Sequence, residues 1–242
     1  HLMPLVEVVP GIRTVPNLSP LCVEIMKKWD KVPVIAKDMP GFIVNRIARS
    51  FYGESIRLLE EGLADCATID WAMKEIGGFK MGPFELMDFI GNDVNYKVTE
   101  SVWQQFFYEP RFKPSITQKR LYEAGMFGRK SGQGYYSYVP GAVPPEPKKN
   151  PELGNRIFKR VIAMLINEAA DALYLQLASR EDIDLAMTKG VSYPKGLLKW
   201  SDEIGAGIIC KELQSLFEAY GEDRYRPSMQ LKFMVTQKLT FY

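Results

Sequence analysis

The sequence predicts a mainly α-helical protein: two tandem all-helical domains behind a short strand, helix, strand segment. Three observations predict it. The first 38 residues hold two short β-branched apolar runs around one helical pattern. From Pro40-Gly41 onward the apolar spacing is helical and stays so. The second half then repeats the first at a constant offset of 114 residues.

The elements follow in order. LVEVV (5–9) and VPVIAKD (32–38) read as strands, and SPLCVEIMKKWD (19–30) reads as the helix between them. Ser19 suits its cap, Pro20 its first position, and Leu21, Ile25 and Lys28 or Trp29 recur at helical spacing. A βαβ unit belongs in a parallel sheet covered on both faces. Two strands do not make such a sheet, so residues 1–38 read as the last piece of a larger α/β domain, and the opening HLMPLVEVVPG as a cut. FIVNRIARSFYGESIRLLEEG (42–62) puts Asn45, Ala48, Tyr52, Ile56 and Leu59 on one stripe, with Gly62 as a stop. TIDWAMKEIGG follows with Thr68 as cap and Gly77-Gly78 as stop, then MGPFELMDFIG, DVNYKVTESVWQQFF and PSITQKRLYEAG supply further helices.

The stretch with Pro140, Pro144, Pro145, Pro147 and Pro151 reads as an extended, stiff linker. Beyond it, EAADALYLQLASREDIDLAMTKGVSYPKGLLKWSDEIG (168–205) lies on residues 54–91 without a gap. Glu54/Glu168, Asp70/Asp184, Gly82/Gly196, Asp88/Asp202 and Gly91/Gly205 match, and RFKPS (111–115) meets RYRPS (224–228) after a one-residue slip. Two such copies predict pseudo-two-fold packing. The expected division is 1–38, 39–138 as the first helical domain, 139–152 as linker and 153–242 as its duplicate.

Composition narrows the chemistry. Lys+Arg of 31 against Asp+Glu of 29, without a dense basic block, argues against a nucleic-acid partner. Three widely spaced cysteines without CxxC suggest neither disulfides nor zinc, so reduced thiols, a cytoplasmic protein and no metal are expected. No run approaches the ~18 apolar residues of a membrane span. His1 is the one histidine, at the free end, where nothing holds it as a base or triad member.

Three polar positions stand out. Asn45 interrupts the apolar stripe, where its amide could satisfy neighbouring backbone or hydrogen-bond a ligand in a cleft. Glu7 lies on a short apolar strand, either facing solvent by alternation or standing where α/β sheets place ligands. FGRKSGQGYY carries Arg129 and Lys130 in a Gly-rich turn, a solvated pair or a cation reaching across a cleft to an anion.

MPLVEVV, KDMPGFIVNRI and MGPFELMDFIGNDV, closed by FGRKSGQGYY, together resemble the 3-hydroxyacyl-CoA dehydrogenases over residues 3–138, and the second half resembles the extra C-terminal repeat of longer members. The resemblance implies an oxidoreductase of fatty-acid breakdown. Its Rossmann domain binds NAD, and a helical domain like the 6-phosphogluconate dehydrogenase C-terminus closes over acyl-CoA. Residues 1–38 would then be a Rossmann remnant. Of the motif HFFNPxPxMxLVE only the tail, Met3 to Glu7, is present, and its base histidine falls before residue 1. His1 and Leu2 depart from the motif, as a cloning remnant would. By resemblance Glu7 orients that histidine, Asn45 hydrogen-bonds near the reacting end of the substrate, and Lys130 contacts NAD. The GxGxxG fingerprint is not among these residues. The 242 residues alone are therefore expected to be inactive and to hold no NAD; the longer protein would take both NAD and acyl-CoA. The alternative is a non-catalytic assembly or acyl-CoA-binding module. Further dimerisation through the helical domains is expected, since unpaired strand edges template association.

Overall fold

Strands β1 (Leu5–Val8) and β2 (Val32–Ile35) pair in parallel, with Leu5 opposite Val32 and Glu7 opposite Val34, and helix α1 (Leu18–Lys28) makes the crossover. This computed structural model describes residues 3–242; His1 and Leu2, set apart by the sequence reading, lie outside them. Helix α1 begins before the expected cap: Asn17 stands at the N-cap, without a side-chain hydrogen bond, and Ser19 falls inside the first turn. Pro20 is tolerated there because first-turn N–H groups lack helical partners. Helix α1 buries no residue, and Leu21 and Trp29 are exposed.

Helix α2 (Val44–Glu60) follows a turn in which Gly41 and Phe42 both take positive φ. Helix α3 (Cys66–Trp71) continues as a π-helical turn, Ala72–Ile76, and ends at Gly77-Gly78 as the sequence predicts. Its cap is not Thr68 but Asp65, whose carboxylate accepts from the Thr68 N–H at 2.8 Å. An aspartate is the stronger cap, and the Thr68 hydroxyl instead accepts from the Lys148 N–H at 2.9 Å. Helices α4 (Pro83–Ile90), α5 (Asn92–Gln105) and α6 (Ile116–Glu123) complete the first repeat.

No helix or strand interrupts residues 142–150. The second repeat runs as α7 (Pro151–Tyr174), α8 (Arg180–Gly190), α9 (Leu197–Ile204), α10 (Ala206–Tyr220) and α11 (Met229–Gln237). Its joints copy those of the first. Gly91 (φ 106°) breaks α4 from α5 as Gly205 (φ 100°) breaks α9 from α10. Asp70 accepts from the Phe84 and Glu85 N–H groups that open α4, and Asp184 accepts from those of Leu198 and Lys199 that open α9.

Two compact units form. One holds residues up to Ala48, Leu165–Gly221 and Tyr225–Tyr242; the other holds Arg49–Met164 and Glu222–Arg224. Helices α2 and α7 each pass from one to the other. The first unit's core includes Val34, Ile43, Ile47, Ile166, Ile183, Leu198 and Leu231, the second's Phe51, Ile56, Ile69, Met73, Phe84 and Ile157. Along α2, Ala48, Tyr52 and Ile56 are buried as the stripe predicts and Leu59 is half-buried. Asn45 is exposed, a correction to its expected place on that stripe: burial on α2 begins at Arg46 and Ile47.

Candidate functional site

The half-buried Glu7 reaches from β1 to the start of α2. Its Oε1 accepts from the Ile43 N–H at 2.7 Å and from the Val44 N–H at 3.2 Å. These donors have no partner within the helix, and a carboxylate there meets the positive end of the helix dipole. Burial nevertheless raises the Glu7 carboxyl above its ordinary range, outweighing the two backbone bonds that lower it. Its Oε2 makes no hydrogen bond among the described residues, so one oxygen is anchored and the other is open to a partner.

Asn45 lies on the turn of α2 that Glu7 caps, so the fold brings these two predicted site residues to one helix end. The elements that set this end come from both repeats. Helix α8 packs on both strands, and Gly190 leaves room for Leu5 and Val44: a Cβ there would stand 2.6 Å from Leu5 Cδ2 and 3.0 Å from Val44 Cγ2. The Lys37 N–H donates to the Leu177 carbonyl at 2.8 Å, and the Ile35 N–H to Asp182 Oδ2 at 3.3 Å.

Lys130 belongs to the other unit, on a short 3-10 turn, Arg129–Ser131. Its Nζ donates to Asp93 Oδ2 at 2.7 Å. Gly91 allows this, since a Cβ at that position would lie 2.8 Å from Lys130 Nζ. Arg129 leans over the Phe89 ring, 5.2 Å from its centroid.

Sequence reasoning did not single out the buried carboxylates that organise each repeat. Asp70 accepts from the Tyr136 hydroxyl at 2.7 Å besides its two backbone bonds, and burial pushes its carboxyl up to about 7 despite them. Asp88 accepts from the Tyr135 and Tyr136 N–H groups at 3.0 and 2.9 Å, and from Asn92 Nδ2 at 2.8 Å. Burial, then the neighbouring carboxylates, pushes the Cys66 thiol up to about 12, which leaves it unreactive. The signal was present in the matched pairs Asp70/Asp184 and Asp88/Asp202. No cluster of three or more His, Cys, Asp or Glu that could hold a metal ion occurs among the described residues.

Residues 41–138 and 157–240 match the family described as 3-hydroxyacyl-CoA dehydrogenase, C-terminal domain. The chain is 34% identical to the 3-hydroxyadipyl-CoA dehydrogenase of Escherichia coli (strain K12), covering 96% of this chain and 66% of that protein. It is 31% identical to the fatty acid oxidation complex subunit alpha of Shewanella sp. (strain MR-4), covering 99% of this chain and 36% of that one. Among solved structures, 3-hydroxybutyryl-CoA dehydrogenase from Escherichia coli K12 superposes with a TM-score of 0.89 at 33% identity, covering 98% of this chain and 68% of that chain. The chain thus spans about two thirds of the first relative and about a third of the second. The mainly helical fold and the repeat accord with these matches, and the chain belongs to the 3-hydroxyacyl-CoA dehydrogenase C-terminal domain family.

Proposed function

We propose that this chain is the substrate-side part of an NAD-dependent 3-hydroxyacyl-CoA dehydrogenase, which interconverts a 3-hydroxyacyl-CoA and its 3-oxoacyl-CoA. The observation that carries this reading is the seat of Glu7: one oxygen fixed on the start of α2, the other open, and Asn45 on the same turn. A carboxylate so held can fix the tautomer of an imidazole and stabilise the imidazolium formed when the substrate's 3-hydroxyl gives up its proton. That imidazole would come from the part of the relatives that this chain does not span. Asn45, exposed at the helix start, would hydrogen-bond the substrate near its reacting carbon.

NAD would supply the hydride acceptor in the longer enzyme. The described residues do not build its cradle, which needs a Gly-rich strand-to-helix turn whose N–H groups face the pyrophosphate. They hold two strands, β1 and β2, and Lys130, already paired with Asp93, would offer a single cation to the dinucleotide.

A second reading, an assembly or acyl-CoA-binding module, draws on α1 and its C-cap, where Leu21 and Trp29 face solvent. We place the protein in the cytoplasm and expect homodimers; no helix of the described residues is long and apolar enough to cross a membrane. The test is an acetoacetyl-CoA reduction assay with NADH. The 242 residues alone should show no turnover, and the chain extended to the full length of its relatives should turn over. In that longer protein Asn45→Ala should lower kcat about 10²-fold. Robust turnover by the 242 residues would overturn the reading.

A further inference from the structure

Gly53 and Asn167 hold equivalent places in the two repeats, one residue before Glu54 on α2 and Glu168 on α7. In the second repeat Asn167 is fully buried. Its Nδ2 donates to the Arg226 carbonyl at 3.0 Å, and its Oδ1 accepts from the Ser228 N–H at 2.7 Å. One primary amide thus satisfies an acceptor and a donor left open where RYRPS turns into α11.

The first repeat has the same turn, RFKPS, leading into α6. Ser115 accepts from the Gln118 N–H at 2.9 Å, as Ser228 accepts from the Leu231 N–H at 3.2 Å, and both serines are extended, with ψ of 157° and 152°. Yet residue 53 is a glycine. The Lys113 carbonyl and the Ser115 N–H, counterparts of the groups that Asn167 satisfies, have no hydrogen-bond partner among the described residues. Beside them lies a cavity of about 670 Å³, a volume that suits a small ligand, whose walls include Gly53, Trp103, Tyr108, Lys113 and Ser115. Packing does not require the glycine. A Cβ at 53 would meet nothing within 4 Å, and glycine inside a helix weakens it.

We propose that this cavity binds a primary carboxamide carried on a flat, uncharged body, seated as the Asn167 amide is seated in the other repeat. The ligand's N–H donates to the Lys113 carbonyl, and its oxygen accepts from the Ser115 N–H. Trp103 Nε1, buried and without a hydrogen-bond partner, offers one more donor. The Trp103 and Tyr108 rings, 4.9 Å apart edge to face, supply an aromatic wall. Glu222 pairs with both Arg57 and Arg224, and the other charged residues of the wall, Glu60, Asp223 and Lys113, are of mixed sign, so the cavity does not select for an ion of one sign.

The test is an amide-resolved NMR titration of the whole chain with benzamide, with acetophenone as the control that keeps the ring and carbonyl but lacks the N–H donors. Benzamide should move the Ser115 amide and Trp103 indole resonances saturably in the millimolar range, and acetophenone should bind at least several-fold more weakly. Gly53→Asn, which supplies the amide from the chain itself, should abolish the shifts and raise the melting temperature. Gly53→Ala, which leaves Ser115 open, should retain binding. Absence of saturable shifts in the native chain, equal binding of acetophenone, or unchanged shifts in Gly53→Asn would each overturn the proposal.

Discussion

Arg46 Nε donates to Glu168 Oε1 at 2.6 Å, and both side chains are buried. Shifted by 114 residues, the same pair recurs with the repeats exchanged, Arg160 on α7 donating to Glu54 on α2. Each arginine has a second carboxylate, Asp171 for Arg46 and Glu61 for Arg160. A buried guanidinium is tolerated only when paired and hydrogen-bonded. The reciprocal pairs therefore fix which residues of α2 and α7 meet, as an isologous contact does between two identical chains.

Removing one partner of such a pair should cost far more than removing both. Glu168→Gln should destabilise the chain by about 3 kcal/mol, because a buried charge loses its counter-ion. Arg46→Met combined with Glu168→Leu should recover most of that loss. Urea denaturation of the two variants checks it; equal losses would show that the charges contribute nothing specific.

The Asp70 carboxyl predicts a pH dependence. Burial lifts it from 3.8 to about 7, so between those values the folded chain holds a proton that the unfolded chain has released. The stability it contributes is complete below about 4 and is lost as pH rises through about 7. Asp70→Asn should remove that slope. Relative to the variant, the native chain should lose on the order of a few kcal/mol between pH 4 and 7.5. Thermal melts of both proteins across that range measure the difference, and parallel curves would refute the assignment.

Much of this was legible in the sequence, and the rest failed for identifiable reasons. The repeat offset placed Asp70 with Asp184 and Asp88 with Asp202, because residues 54–91 and 168–205 align without a gap. It did not reveal their partners: Tyr136 serves Asp70 and Tyr242 serves Asp184, a spacing that is no longer 114 because the second repeat lacks the turn bearing Lys130. Helical period placed Asn45 on the buried stripe, but period does not say where along a helix burial starts. Arg46 went unread because a buried arginine depends on a carboxylate 122 residues away. Asn167 went unread because its meaning lies in the glycine at its twin position.

Gly190 should tolerate no side chain. The Cβ of Gly190→Ala would push into Leu5 and Val44, the residues beside Glu7 and its helix seat. Overpacking of this size costs about 1–3 kcal/mol. It should also lengthen the Ile43 and Val44 bonds to Glu7 and so raise the Glu7 carboxyl further. Carbon-13 NMR titration of the Glu7 carboxyl in both proteins separates this from general destabilisation, which would lower the melting temperature and leave the Glu7 titration unmoved.

Glu7 itself should separate stability from function. Burial favours its protonated form, so the stability it contributes is present in full at low pH and is lost as pH rises through its folded value. Glu7→Gln keeps an oxygen for the Ile43 and Val44 N–H groups and removes the cost of burying a charge. At pH 8 the variant should therefore lie within about 1 kcal/mol of the native chain. In the longer enzyme the same change should cut kcat about 10²-fold or more, because an amide cannot stabilise an imidazolium as a carboxylate does. Urea denaturation at pH 5 and pH 8, run beside turnover measurements, decides between the two roles. A loss of several kcal/mol at pH 8 with kcat unchanged would make Glu7 a helix cap and nothing more.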